Sequence, residues 1–146
     1  MMTLKIGEKE LKIKFGYKPT LKSRIITRMV RQEKEAEGLQ ENDEVGALEK
    51  VEDLMLIVPE IILVGLQKFH KEEYGYDYDT NEGKDVALDK IYDLMDEYFE
   101  NQGSDFIKLY NDLQEEMLKE SFLASVFREE EAKAEKSRKK QENTED

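Results

Sequence analysis

The chain has 146 residues, 38% hydrophobic and 40% charged, which suffice for one modest hydrophobic core and indicate a single domain. It contains no cysteine, which excludes disulfides and thiolate zinc sites and favours a cytosolic protein. The net charge of −12 is uneven: residues 1–40 carry ten Lys and Arg against five Asp and Glu, whereas residues 41–120 carry seven against 23, so the acidic body should repel nucleic acid and favours protein partners.

The first 15 residues predict a β-hairpin. Apolar and charged residues alternate around Leu4 and Ile6, and again from Leu11 through Ile13 to Phe15, with a turn between the two runs. Because charges interrupt every apolar run, this stretch lacks the continuous apolar core of a signal peptide. We therefore expect no export by that route.

A first helix is predicted from Thr20, a suitable N-cap, to about Glu37. Its apolar residues recur at helical spacing on one half of the helix surface: Leu21, Ile25, Ile26, Met29 and Val30. The opposite side carries Arg24, Arg28 and Arg31, and we expect this arginine stripe to be exposed.

A second helix is predicted from Asp43 to Val58, and a third from Pro59 to about Tyr74. Pro59 has no backbone N–H and disfavours helical geometry in the residue before it. It should therefore either kink the helix or begin the next one.

The run LMLIVPEIILVG, residues 54–65, is apolar on all sides where these helices meet. It is too short to cross a bilayer, which needs about 20 apolar residues, so we expect no membrane insertion. Such a run must be buried on several sides, by neighbouring helices or by another subunit. Leu54 and Leu63 are therefore candidates for self-association or partner binding.

The segment YGYDYDTNEGKD that follows is predicted to be a loop, since glycines and acidic residues interrupt any apolar period. Asp77, Asp79 and Asn81 have the alternate spacing of a calcium loop. However, Glu82 stands where that loop requires glycine, and Leu88 where it requires a bidentate glutamate. We favour a solvated acidic loop over a calcium site.

A fourth helix is predicted from Asp85 to Glu100, with one wide apolar face: Leu88, Ile91, Tyr92, Leu94, Met95, Tyr98 and Phe99. The other face carries Asp89, Asp93 and Asp96, whose spacing matches that of the arginine stripe and whose charge is opposite. The two stripes are either independent solvated faces, which we favour because exposed ion pairs contribute little, or a docking pair between neighbouring subunits.

A fifth helix is predicted after Ser104 as its cap, with one apolar stripe: Phe106, Leu109, Tyr110, Leu113 and Met117. Phe122, Leu123, Val126 and Phe127 then form a separate apolar patch. This patch either closes the core, which we favour, or docks a partner in a groove.

Residues 128–146 contain no apolar side chain larger than alanine, so they have nothing to bury and predict a charged, disordered tail. The sequence as a whole predicts a mainly α protein of the α+β type. A small N-terminal hairpin and about five amphipathic helices would form one domain over residues 1–127.

Catalytic groups are scarce. The only histidine is His70, and a metal site with its neighbours Glu72 and Glu73 is a weaker interpretation than a surface residue at a helix end. No phosphate-binding glycine loop, nucleophile elbow or pair of buried acids is recognisable. We expect neither an enzyme nor a bound cofactor.

The order of these elements resembles the tail assembly chaperones of long-tailed phages of Gram-positive bacteria. The resemblance covers nearly the whole chain. It rests on the lysine-rich hairpin, KPTLKSRIITRMV, LMLIVPEIILVGL, IYDLMDEYFE, FIKLYNDLQEEMLKESFLASVF and the charged tail.

The resemblance implies a small helical protein that forms homo-oligomers in the host cytoplasm and coats the tape measure protein. It also implies replacement of the chaperone as tail tube protein subunits polymerise, and a longer form of the same chain made by ribosomal frameshifting. Adaptable methionines on apolar faces, such as Met55, Met95 and Met117, would suit a long apolar client, although core packing explains them equally well.

The main alternative is a small helical regulatory adaptor that binds nucleic acid through Lys22, Arg24, Arg28 and Arg31. The acidic body opposes this interpretation. A metal-dependent enzyme ranks last.

Overall fold

Two strands and then a series of helices follow one another in the computed structural model, which describes residues 1–100, 104–120 and 122–125. The strands are β1 (Met2–Ile6) and β2 (Lys9–Ile13), and the helices are α1 (Tyr17–Ser23), α2 (Ile25–Glu37), α3 (Glu44–Leu66), α4 (Lys71–Tyr74), α5 (Lys84–Glu100) and α6 (Phe106–Leu118). Residues 122–125 are helical as well. The predicted mainly helical fold with an N-terminal hairpin is confirmed, and the predicted tail at 128–146 lies outside the described residues.

The hairpin forms as its alternation predicts. β1 and β2 pair antiparallel, with Leu4 opposite Leu11, and Gly7 occupies the turn with a φ of 60° that favours glycine. The inward side chains are buried and the lysine face is exposed. Beyond β2, the Lys14 N–H donates to the Gly65 carbonyl at 3.0 Å, which ties the hairpin to α3.

The predicted first helix is two helices, α1 and α2. Thr20, the predicted N-cap, is buried within α1, and Gly16 holds the cap position instead. Arg24 ends α1 and precedes α2 with a left-handed φ of 58°, which costs an L-residue about 1 kcal/mol. The turn allows both helices to contact α3, and Ile25 and Met29 are buried.

α3 is the central helix, and it contacts β2, α1, α2, α4, α5 and α6. The Asp43 side chain caps it by accepting from the Gly46 N–H at 2.8 Å, where the sequence predicts the start. Of the two outcomes predicted at Pro59, the start of a new helix is wrong, because α3 continues through this residue to Leu66. Pro59 cannot donate to the Met55 carbonyl, but burial of the residues on both sides of it offsets that loss.

The predicted third helix, from Pro59 to about Tyr74, is correspondingly wrong, since a turn separates α3 from the short α4. Buried Gln67 organises this turn. Its Nε2 donates to the carbonyls of Leu63 and Tyr74 at 3.0 and 2.8 Å, and its Oε1 accepts from the Tyr78 hydroxyl at 3.0 Å. The buried amide is thereby satisfied, as a polar group in a core must be.

α5 matches the predicted fourth helix, and its buried residues Ala87, Ile91, Leu94 and Met95 face the core. α6 is capped by Asp105 instead of the predicted Ser104, because the Asp105 carboxylate accepts from two N–H groups of the first turn. The Ser104 hydroxyl donates to the Tyr98 carbonyl at 2.9 Å.

Candidate protein-binding surface

The two halves of α3 meet different surroundings. Every residue from Ile57 to Leu66 except Glu60 is buried, but five apolar side chains of the first half are between 52% and 68% exposed: Val45, Leu48, Val51, Met55 and Leu56. At 100° per residue these five lie within an arc of roughly 140°. We call the first three, Val45, Leu48 and Val51, the α3 stripe.

Met55 and Leu56 continue the α3 stripe into a groove of about 650 Å³ where α3, α5 and the start of α6 meet. Its lining is mainly apolar and comes from all three helices: Met55, Leu56 and Pro59 from α3, Tyr92, Met95 and Phe99 from α5, and Phe106 from α6. The ring centroids of Phe99 and Phe106 are 6.0 Å apart, so aromatic contact links α5 to α6.

Three carboxylates edge this groove. Glu52 lies on the α3 side, and Asp96 and Glu100 lie on the α5 side. None of the three has a lysine or arginine nitrogen within 4 Å in the part of the chain that the structure describes. The groove is therefore apolar inside and negatively charged at its edge.

The predicted arginine stripe is only partly exposed. Arg24 and Arg31 are exposed, but Arg28 is half-buried and donates to the carboxylate of Glu60, which Lys84 also approaches at 3.1 Å. The prediction of an exposed stripe is therefore wrong for Arg28, because Glu60 of α3 lies beside its guanidinium.

Glu60 is the junction of α2, α3 and α5. Burial alone would raise its pKa, but hydrogen bonds from Arg28 and Lys84 outweigh burial and hold the pKa below its usual value. The same hydrogen bond raises the pKa of the Arg28 guanidinium, against the effect of burial.

Asp89, Asp93 and Asp96 are exposed on one side of α5, as predicted. In the docking alternative they would pair with the arginine stripe of another subunit. Arg28, the middle arginine of that stripe, already pairs with Glu60 of its own chain. Asp96 has a different place, at the edge of the groove.

The apolar candidates fall in different environments. Leu63 is 1% exposed, so it belongs to the subunit core and offers no surface to a partner, contrary to its selection as a contact. Leu54 is half-buried and packs against the core. Leu123 is buried, and the ring centroids of Phe122 and Tyr17 are 5.2 Å apart. Both observations favour the core-closing interpretation for this part of the patch. Val126 and Phe127 lie outside the described residues.

The candidate metal ligands have other roles. The Asp77 carboxylate accepts from the N–H groups of Asp79 and Thr80 at 2.8 and 3.1 Å, which lowers its pKa and shapes the acidic loop. The His70 Nε2 accepts from the Lys12 N–H of β2 at 2.9 Å. The described residues contain no group of three or more acidic or histidine side chains placed to hold a metal ion.

Sequence reasoning missed the α3 stripe because it assigned the whole apolar pattern of this helix to burial. A signal was present. The arc that holds Leu48, Val51 and Met55 is rotated by roughly 120° from the arc that holds Leu54, Ile57 and Ile61, so one helix carries two apolar faces.

Comparisons of this chain with protein-family models, with curated proteins and with solved structures find no significant match. None of the helices in residues 1–100, 104–120 and 122–125 combines the length and apolar content needed to span a membrane.

Proposed function

We propose that this protein is a phage tail assembly chaperone that self-associates and binds the tape measure protein in the host cytoplasm. It keeps the tape measure protein soluble until tail tube protein subunits polymerise around that client. The observation that carries this proposal is the exposed apolar surface of α3, which runs from Val45 along the helix into the groove.

Such a surface is unusual for a chain that acts alone. Soluble proteins expose single apolar side chains freely, but contiguous apolar patches mark contacts with other molecules. Here five large apolar side chains lie exposed on one helix, while every apolar residue in the other half of the same helix is buried. The protein gains nothing in its own fold from leaving them in water.

The composition of the surface fits a client of low sequence specificity. Met55 and Met95 line the groove beside aromatic rings, and methionine adapts its shape to varied apolar partners. The acidic exterior and the net charge of −12 keep an assembly with exposed apolar surface soluble.

Self-association is assigned to the α3 stripe. Val45, Leu48 and Val51 lie about one turn apart, and an equivalent stripe on a second copy could cover them in a helix-to-helix contact. The groove then remains available for the client.

Co-expression with the tape measure protein of the same phage tests the function. We expect the tape measure protein to be insoluble alone and to co-purify with this chain as a soluble complex. Light scattering after size exclusion should show a mass for the free chaperone that rises with its concentration. A strict monomer that leaves the tape measure protein insoluble would contradict the proposal.

The nucleic-acid alternative is tested with the same protein. A DNA mobility shift that weakens as salt increases, and that disappears when Arg24 and Arg31 are replaced by alanine, would favour a regulatory adaptor. We expect no shift, because Arg28 is already paired with Glu60 and the net charge of −12 repels nucleic acid.

A further inference from the structure

We infer that the groove between α3 and α5 binds an amphipathic helix of a partner protein, and that lysine or arginine side chains flank the apolar face of that helix. This inference rests on the proposed function and specifies the kind of client segment that the groove accepts. Three features of the groove support it: the lining, the backbone of the walls and the charge at the edge.

The lining calls for apolar side chains. Met55 and Leu56 are more than half exposed, and Tyr92 and Phe99 are each 38% exposed, although all four face the same groove. A partner that covers them removes apolar area from water on both molecules, which is the main favourable term in association. The volume of about 650 Å³ accommodates several side chains and not a whole domain.

The walls decide the backbone conformation of the partner. α3, α5 and α6 supply them, and residues within a helix already use their backbone N–H and carbonyl groups in that helix. No strand of the hairpin lines the groove, so a partner cannot add to a sheet edge there. A bound segment must satisfy its own backbone, and a helix does so completely.

The charge at the edge of the groove determines which side chains can flank the apolar face of that helix. Glu52, Asp96 and Glu100 stand on both sides of the groove without a basic partner among the described residues. The two lysines of α5 are engaged elsewhere: Lys84 pairs with Glu60, and Lys90 donates to the Glu73 carbonyl. An acidic partner would be repelled, whereas basic flanks would complement these carboxylates.

Two synthetic peptides test the inference on the full chain. Both are fluorescein-labelled peptides of about 16 residues, alanine-rich to favour a helix, with leucines at i, i+4, i+7 and i+11. One carries lysines beside the leucine face and the other carries glutamates. We expect fluorescence anisotropy to show binding of the lysine peptide at least tenfold tighter than that of the glutamate peptide, with the difference reduced at high salt.

Variants of the chain test whether the peptide binds in the groove. Leu56→Glu should weaken the lysine peptide about tenfold, whereas Leu118→Glu, the same change at an exposed leucine of α6 outside the groove, should leave affinity unchanged. The double variant Asp96→Lys, Glu100→Lys should reverse the preference and favour the glutamate peptide. Circular dichroism confirms that each variant is folded.

Several results would overturn the inference. Equal affinity for both peptides, or unchanged affinity in Leu56→Glu, would place binding elsewhere. Stronger peptide binding by Phe127→Asp would show that the chain's own C-terminal segment occupies the groove. Loss of self-association in Leu56→Glu without peptide would make the groove an interface between two copies.

The tape measure protein separates this inference from the proposed function. If the wild type and Leu56→Glu keep it soluble equally well, the inference fails and the chaperone function stands. If the wild type does not bind the tape measure protein, the proposed function fails. The peptide experiments then still test whether the groove binds a helix with basic flanks.

Discussion

The two halves of α3 share one helix and a similar apolar content, but the fold uses them in opposite ways. From Ile57 to Leu66 the side chains pack against the hairpin and the other helices, and only Glu60 among them is not buried. From Glu44 to Leu56 the apolar side chains of one face are exposed. Apolar character alone therefore does not distinguish the residues that hold this protein together from those available to a partner.

The change occurs between Leu56 and Ile57, within one turn of Pro59 and Glu60. Pro59 lies in the groove wall and Glu60 is held by Arg28 from α2 and Lys84 from α5. These ion pairs fix the position of α3 between its two neighbours near the start of its buried half.

The largest effect is expected in the buried half. Leu63→Ala should lower the free energy of unfolding by about 3 kcal/mol, since it removes buried methyl groups and leaves a cavity. Leu56→Ala, the same change in the exposed half, should cost less than about 0.5 kcal/mol. Urea unfolding followed by circular dichroism, at a concentration where the chain is monomeric, measures both. Similar losses in the two variants would contradict the division of α3.

The next largest loss of stability is expected at Glu60, where α2, α3 and α5 meet. Glu60→Gln leaves Arg28 and Lys84 without their anion, so we expect it to cost about 2 kcal/mol at pH 7. Because the folded pKa of Glu60 is below its ordinary value of 4.5, its contribution is complete above that pH and is lost as the pH falls through the folded pKa. The difference between wild type and variant should therefore shrink in acid.

Unfolding measurements at pH 7 and at pH 3.5 test this pH dependence. Glu35→Gln is the matched control, since Glu35 forms an exposed pair with Lys50 between α2 and α3, and its loss should matter much less. A difference that stayed constant with pH would show that the Glu60 charge does not stabilise the junction.

A smaller effect is expected where α3 meets the hairpin. A Cβ on Gly65 would lie 2.5 Å from Ile13 Cγ2 and 3.3 Å from the Phe15 ring. The resulting overpacking should outweigh the better helix propensity of alanine, so Gly65→Ala should cost about 1 kcal/mol net. Gly38→Ala is the control, because the nearest atom to its new Cβ is 3.6 Å away. Thermal unfolding of both variants checks this, and a stabilised Gly65→Ala would show that the hairpin moves aside easily.

The sequence predicts those parts of the fold that depend on local pattern. Alternation around Leu4 and Leu11 predicts the hairpin, and Asp43 marks the start of α3 because a capping side chain acts within one turn. The break at Arg24 and the continuity through Pro59 escape such reasoning. Both depend on which helices pack together, and tertiary packing overrides local preference there.

The candidate site was harder to predict than the fold. Met55 and Phe106 line one groove although about fifty residues separate them, so no local motif joins them. The sequence does place Asp96 on an exposed acidic face, but its position beside apolar side chains of α3 follows only from the packing of two helices. Periodicity indicates that a residue is on an apolar face and does not indicate what covers that face.

The smallest effect on stability should accompany a large effect on assembly. Leu48→Glu replaces a side chain that is 64% exposed, so it should change the free energy of unfolding of the monomer by less than about 0.5 kcal/mol. A charge at the centre of the α3 stripe should nevertheless prevent a second copy from covering it, because the carboxylate would lose its water without gaining a partner. Light scattering should then show a monomer across the concentration range in which the wild type assembles. Val86→Glu, at an exposed apolar residue of α5 outside the stripe and the groove, should assemble as the wild type does. Assembly by Leu48→Glu at wild-type concentrations would show that the α3 stripe is not the self-association surface and leave the stripe without an assigned partner.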